Sequence, residues 1–256
     1  MHVSTSQALS VLNRSTPVSN VQPDLLIAGA TGALGNAVLR RLVGVHAYTH
    51  TQVIAREPVQ QGMRQLSLHV VSGEIAAWPA TPRCDVAVIM FEPPRMFYER
   101  ERALWTPEPE QLVNLAQWLH ACGATTLAVV LPHAPGSLPE SLKRGLANLD
   151  EQAIASIGFE RLLILRSAEK PADIKRVHLL EKLAHWMLGI FKFMIPAQEQ
   201  PVRPTKIAEI VDALLQTAPH GTHVISPQEM WELSRGSAQE LAQQIARRWP
   251  DDALPA

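Results

Sequence analysis

From Asp24 to about Arg166, apolar runs of strand length alternate with stretches whose apolar residues recur every three or four positions. The runs are Leu25–Ala28, Thr51–Ala55, Leu66–Val71, Asp85–Phe91, Thr126–Leu131 and Arg161–Leu165. Strands that alternate with helices pair in parallel, and a parallel sheet is covered on both faces. Asp85–Phe91, apolar on both of its faces, therefore reads as a central strand. Between the runs, Asn36–Val43 turns Val38, Leu39 and Leu42 inward and Arg40 and Arg41 outward, as a helix on a sheet does. Pro93-Pro94 ends the fourth strand, and residues 95–121 read as one or two helices with Pro107 and Pro109 near the start of the second. A helix from about Glu140 to Ile157 leads into the sixth strand. Beyond Arg166 the order changes to a long helix over Arg176–Ile195, a helix over Pro204–Ala218, a short strand at Thr222–Ile225 and a closing helix over Ala238–Trp249.

Composition narrows this picture. With 256 residues, the chain is long enough for one large domain or two small ones. An apolar share of 46% against 18% charged marks a folded rather than a disordered chain. The net charge of −1 offers no global attraction to nucleic acid or anionic lipid. The pairs Arg40-Arg41 and Arg247-Arg248 are too sparse for a nucleic-acid groove. The Arg176–Ile195 helix has a broad apolar arc, but its longest charge-free stretch, Leu183–Phe191, falls well short of the roughly 20 residues that span a bilayer. It is expected to pack on the core, on a second copy in a homodimer, or on another protein. Cys84 and Cys122 sit singly inside apolar segments, which points to a reducing, cytoplasmic setting. The first 22 residues, rich in Ser, Thr and Gln, read as a tail without the apolar core of a signal peptide.

The most specific segment is Ala28-Gly29-Ala30-Thr31-Gly32-Ala33-Leu34-Gly35, which follows the first strand and opens the first helix. Small residues there let the pyrophosphate of a dinucleotide reach the backbone, and the helix N-terminus supplies free amides and partial positive charge. Gly29, Thr31, Gly32, Ala33, Leu34 and Gly35 are the expected contacts, with Phe91 beside them at the end of the fourth strand. The second strand ends in Arg56-Glu57, where the cofactor's ribose is read. A guanidinium suits the 2′-phosphate of NADP, whereas Glu57 would hold the ribose of NAD. The expected cofactor is NADP, with NAD as the alternative.

This turn, together with Arg56, resembles the extended and atypical short-chain dehydrogenase/reductases, in particular the NmrA-like and Tat-interacting-protein-like NAD(P)-binding group. Phe159–Arg166 is similar in spacing to that family's sixth strand, with Ser167 in place of its proline, and Pro201–Ala208 resembles the start of a later family helix. The resemblance implies an α/β, Rossmann-type doubly wound parallel sheet over residues 23–167. It also implies a small, mostly helical C-terminal subdomain over 168–256, lying at the nicotinamide end for a substrate or partner. In the family, chemistry rests on a Tyr-x-x-x-Lys pair before the sixth strand and a Ser or Thr after the fifth. Here the pair's slots fall near Lys143 and Ala147, and the fifth strand ends in Leu131-Pro132-His133. The two tyrosines of the chain, Tyr48 and Tyr98, both precede that helix.

Two residues remain as catalytic candidates. His133 stands where ligands of parallel sheets bind and titrates in a useful range, although an exposed loop histidine is the plainer reading. Tyr98 either swings to the nicotinamide or packs beside Phe97. The histidine pairs 46/50, 178/185 and 220/223 lack partners at ligand spacing, so no metal is expected. The sequence thus points to an NAD(P)-binding protein without the usual proton donor, acting as a cofactor sensor or regulatory scaffold. The alternative is an NADPH-dependent reductase or epimerase-like enzyme on a small substrate.

Overall fold

The computed structural model describes residues 22–45, 47–58, 66–95, 98–131, 151–166 and 202–249. Seven strands form one sheet in the order β3-β2-β1-β4-β5-β6-β7, and every pairing is parallel. They are β1 Leu25–Ala28, β2 Thr51–Ala55, β3 Leu66–Val70, β4 Val86–Met90, β5 Thr126–Val130, β6 Arg161–Leu165 and β7 Gly221–Ile225. The fold is Rossmann-like. Its chain order reverses between β1 and β4, which opens a crevice at their carboxyl ends, where ligands of such sheets sit.

Period two along each strand sends alternate residues to two cores. Leu25, Ile27, Val53, Val88, Val130 and Leu163 face the layer that holds helix α1, Gly32–Gly44. Leu26, Ala28, Ile54, Ile89, Leu127 and Ile164 face a layer with a tryptophan cluster. There Trp78 meets Trp105 and Trp118 edge-on, with ring centroids 5.0 and 5.2 Å apart. Both cores are built of apolar side chains, so burial on the two sides supplies most of the driving force.

Residues 202–249 pack on this core. β7 pairs with β6 in the same sheet. Helix α5, Pro204–Thr217, buries Ile207, Ile210, Val211 and Leu214 in the cluster that packs α1. Asp212, 2% exposed, ties the two helices by accepting from Arg41 Nε at 2.7 Å. The remaining helices among the described residues are α2 Glu99–Arg102, α3 Leu112–Ala121, α4 Glu151–Ala155, α6 Pro227–Ser234 and α7 Ala238–Arg248. The sequence reading missed α6, although Ser226-Pro227-Gln228-Glu229 is a capping box with proline at the first helical position.

The expected helical run over 95–121 is also different. Among the described residues of that run, only Glu99–Arg102 is helical before the 3-10 turn at Pro109–Gln111. Between them Leu104 makes an antiparallel bridge with Ala55. Residues 104–107 are therefore outside any helix. The Arg176–Ile195 helix, with the partner surface expected of it, lies outside the described residues. Among those described, no helix is long and apolar enough to cross a membrane.

Ile210 is fully buried between α1 and the sheet. Ile210→Ala should cost about 2–5 kcal/mol, and in denaturant titrations followed by circular dichroism and tryptophan fluorescence the whole unit should unfold earlier with coincident curves.

Candidate functional site

The β1–α1 turn has the backbone that a close-approaching ligand needs. Gly29 and Gly32 have φ of 77° and 72°, the left-handed region that glycine adopts without strain. A Cβ on Gly29 would overlap the Met90 carbonyl and come within 3.0 Å of Pro107 Cδ. One on Gly35 would lie 2.6 Å from the Ala30 carbonyl carbon, so glycine there lets α1 sit tight against the turn.

An α-helix begins with amides that no helical carbonyl can reach. The N-cap residue Thr31 is extended, at φ −107° and ψ 166°, yet its side chain makes no capping bond. Its hydroxyl donates instead to the Glu92 carbonyl. Because that bond uses its only proton, the Thr106 hydroxyl 3.1 Å away must be the donor in their contact. The first helical amides go to carboxylates from the other side of the crevice. Gly32 N donates to Glu101 Oε2 at 3.0 Å. Leu34 N donates to Glu92 Oε2 at 2.5 Å, and Ala33 N also donates to Glu92. Gly35 N, at 3.1 Å from the Thr31 carbonyl, starts the regular helix ladder. The amides expected to meet a phosphate are thus held by two glutamates of the chain itself.

The two glutamates differ in how they are held. Glu101 is 5% exposed. It accepts from Arg95 N at 3.0 Å, Arg95 Nε at 2.8 Å and Asn36 Nδ2 at 2.7 Å, besides Gly32 N. Burial pushes its carboxyl up, but the Arg95 guanidinium and the surrounding amides outweigh burial and hold it below the usual carboxylate range. Glu92, half-buried just past β4, is pushed up. Burial is the main cause and the Glu101 charge adds to it, against the amides of Leu34 and Ala33 and the Arg95 charge.

The same segment covers the neighbouring strand ends. Trp105 N donates to the Ile54 carbonyl at 3.0 Å and its own carbonyl accepts from Gly29 N at 3.2 Å. The Ala103 carbonyl accepts from Arg56 N at 2.7 Å and Glu57 N at 3.3 Å. Residues 92–95 and 98–107 therefore cover the ends of β1 and β2 as well as the mouth of the turn, and Trp105 is anchored there by Trp78.

The remaining sequence-predicted residues fall as follows. Thr31 and Leu34 are buried and Ala33 is exposed. The Arg56 side chain is exposed beyond β2. Phe91 is 1% exposed and packs in the tryptophan-side core, so its side chain offers no face to the crevice. Glu92, the next residue, is the one that reaches the turn. Tyr98 is 51% exposed, with the Arg95 guanidinium 3.7 Å above its ring. Tyr48 is 6% exposed, and burial, with the Asp212 charge, raises its hydroxyl far above the ordinary range. His133, Lys143 and Ala147 lie outside the described residues. Cys84 and Cys122 are free and buried. Burial pushes their thiols up to about 12 and about 11, which disarms both as nucleophiles.

Opposite pH signatures follow for the two glutamates. The stability contributed by Glu101 is present above about pH 4.3, the unfolded value, and is lost as pH falls through its depressed native value. Glu101→Gln should cost about 2–3 kcal/mol near neutrality and less in acid. Glu92, with a raised native value, stabilises below that unfolded value and loses this contribution as pH rises through the native one. Glu92→Gln should flatten that loss. Denaturant midpoints measured across pH check both.

No protein-family model matches the sequence, and no curated protein matches it. Solved structures resemble it at low similarity. WbmG of Bordetella bronchiseptica, in complex with NAD, is 14% identical with a TM-score of 0.46 over 94% of this chain and 82% of that one. MoeE5, in complex with UDP-glucuronic acid and NAD, is 12% identical with a TM-score of 0.46 over 89% and 82%. Uronate dehydrogenase of Agrobacterium tumefaciens is 14% identical with a TM-score of 0.45 over 91% and 90%.

Proposed function

We propose that this chain binds a nicotinamide dinucleotide at the β1–α1 turn and acts as a cofactor-responsive regulatory protein, without dehydrogenase turnover of its own. The observation that carries the reading is the glycine cradle. Gly29 and Gly32 take left-handed φ, Gly35 brings α1 against the turn, and all three stand at the mouth of the crevice between β1 and β4. A helix start so placed is a ready anion site for a pyrophosphate. Gly32, Ala33 and Leu34 would hold the phosphates through their amides, and Thr31 would order the turn from beneath. The nicotinamide, when bound, would supply hydride chemistry.

The regulatory side rests on what faces the crevice. Tyr48 is buried between neighbours other than the turn, Tyr98 lies against Arg95, and neither can occupy a Tyr-x-x-x-Lys slot near Lys143 and Ala147. The same crevice is closed over by Glu92 and Glu101, so ligand access requires one of them to yield. A protein whose shape must change on binding its cofactor is suited to reporting the cofactor's level. Arg56, exposed past β2, favours NADP through charge-assisted bonds to a 2′-phosphate. Membership of the NmrA-like group remains part of this reading.

Calorimetric titration with NAD, NADH, NADP and NADPH tests it. The expected result is binding, tightest for the NADP pair, with a raised melting temperature and no NADPH oxidation when carbonyl, enone or quinone substrates are added. Steady oxidation would overturn the regulatory half, and absence of binding by all four would overturn the whole. Arg56→Ala should weaken NADPH about tenfold, equivalent to 1.4 kcal/mol, and leave NADH unchanged.

A further inference from the structure

The turn's amides could be satisfied by water in an open crevice, yet they are satisfied by carboxylates arriving 58 and 69 residues away in sequence. A carboxylate accepting from successive amides at a helix start makes the same bonds that a phosphate oxygen makes. Glu92 also lies against Gly32 so closely that a Cβ there would overlap its side chain. The space that a bound phosphate needs is thus the space Glu92 fills.

We infer that Glu92 is an intramolecular stand-in for a phosphate: its carboxylate closes the seat in the free protein, and a diphosphate-bearing ligand binds by displacing it while Glu101 stays in place. The inference rests on the reading that this turn takes a dinucleotide, and it names what regulates that site.

Glu92 is the displaceable member for geometric reasons. It is half-buried, on the rim past β4, and its carboxylate grips the turn through Leu34 N and Ala33 N. Glu101 is buried and held by Arg95, Asn36 and Gly32 together. Around Glu92 stand the like charge of Glu101 and the opposite charge of Arg95, with the Thr31 and Thr106 hydroxyls beside its backbone carbonyl. Displacement takes the Glu92 carboxyl out of the buried place beside Glu101 that pushes it up, so it gives up its proton more readily once a phosphate holds the seat, and binding is favoured as pH rises.

Calorimetric titration of ADP and NADH into wild type, Glu92→Ala, Glu92→Gln and the exposed control Glu110→Ala tests this. ADP probes the diphosphate seat without a nicotinamide. Glu92→Ala should tighten both ligands tenfold or more. Glu92→Gln, which keeps an acceptor oxygen but no charge, should tighten them less, and Glu110→Ala should match wild type. Wild-type affinity for NADH should rise as pH is raised through the acid range, and this slope should vanish in Glu92→Gln. Binding by Glu92→Ala alone also supports the inference. Equal affinities in wild type and both Glu92 variants, with the same pH slope, overturn it and leave the dinucleotide reading standing. If neither wild type nor Glu92→Ala binds either ligand, both readings fall.

Discussion

The helix that opens at Gly32 begins with amides that must be satisfied, and the architecture of the crevice follows from how this chain satisfies them. Thr31, the natural cap, is turned away toward the Glu92 carbonyl, and α1 has no acidic residue in its first turn. The negative charge that complements its dipole comes instead from Glu92 and Glu101. To deliver them, the chain after β4 must cross back over the ends of β1 and β2. That crossing explains the bridge of Leu104 to Ala55, the seat of Trp105 on Trp78, and the Arg95 clamp on Glu101. The remote cap and the strap are one device.

Its energetics are uneven by design of charge and burial. Glu101 with Arg95 is a compensated pair: the carboxylate is buried but fully bonded, so losing one partner is costly. Glu92 shares the helix amides, but burial, with the like charge of Glu101 adding to it, pushes its carboxyl up. One carboxylate fixes the strap and the other holds the seat lightly. A site built this way responds to any stronger anion of suitable shape.

Much of the fold was legible in the sequence because strands buried on both faces announce themselves. Leu25–Ala28, Thr51–Ala55 and Arg161–Leu165 match their expected bounds, and β4 is central as its apolar run implied. The glycine turn was legible for the same kind of reason, since positive φ and close approach demand particular residues locally. The strap was not. Residues 95–121 carry apolar positions compatible with helices, and the contacts of Ala103 and Trp105 with β2 and β1, made across distant sequence, interrupt the helical run after Arg102. Glu92 and Glu101 looked like ordinary charges, because their partners are far along the chain. The available hint was a carboxylate between the central strand and Pro93-Pro94, one residue beyond the Phe91 singled out. The pairing of β7 with β6 was likewise hidden, because β7 is a short, largely exposed edge strand whose partner is set by tertiary packing.

The central claim is that the amides of the turn are held by the chain's own carboxylates. Backbone amide resonances of Gly32, Ala33 and Leu34, followed through a pH titration of the ligand-free protein, test it most directly. The account predicts that Ala33 and Leu34 titrate together with a midpoint above the ordinary glutamate value, that Gly32 follows a separate, lower transition, and that Glu92→Gln abolishes the first and spares the second. Amide shifts that stay flat through the acid range, or that are the same in Glu92→Gln, would contradict it.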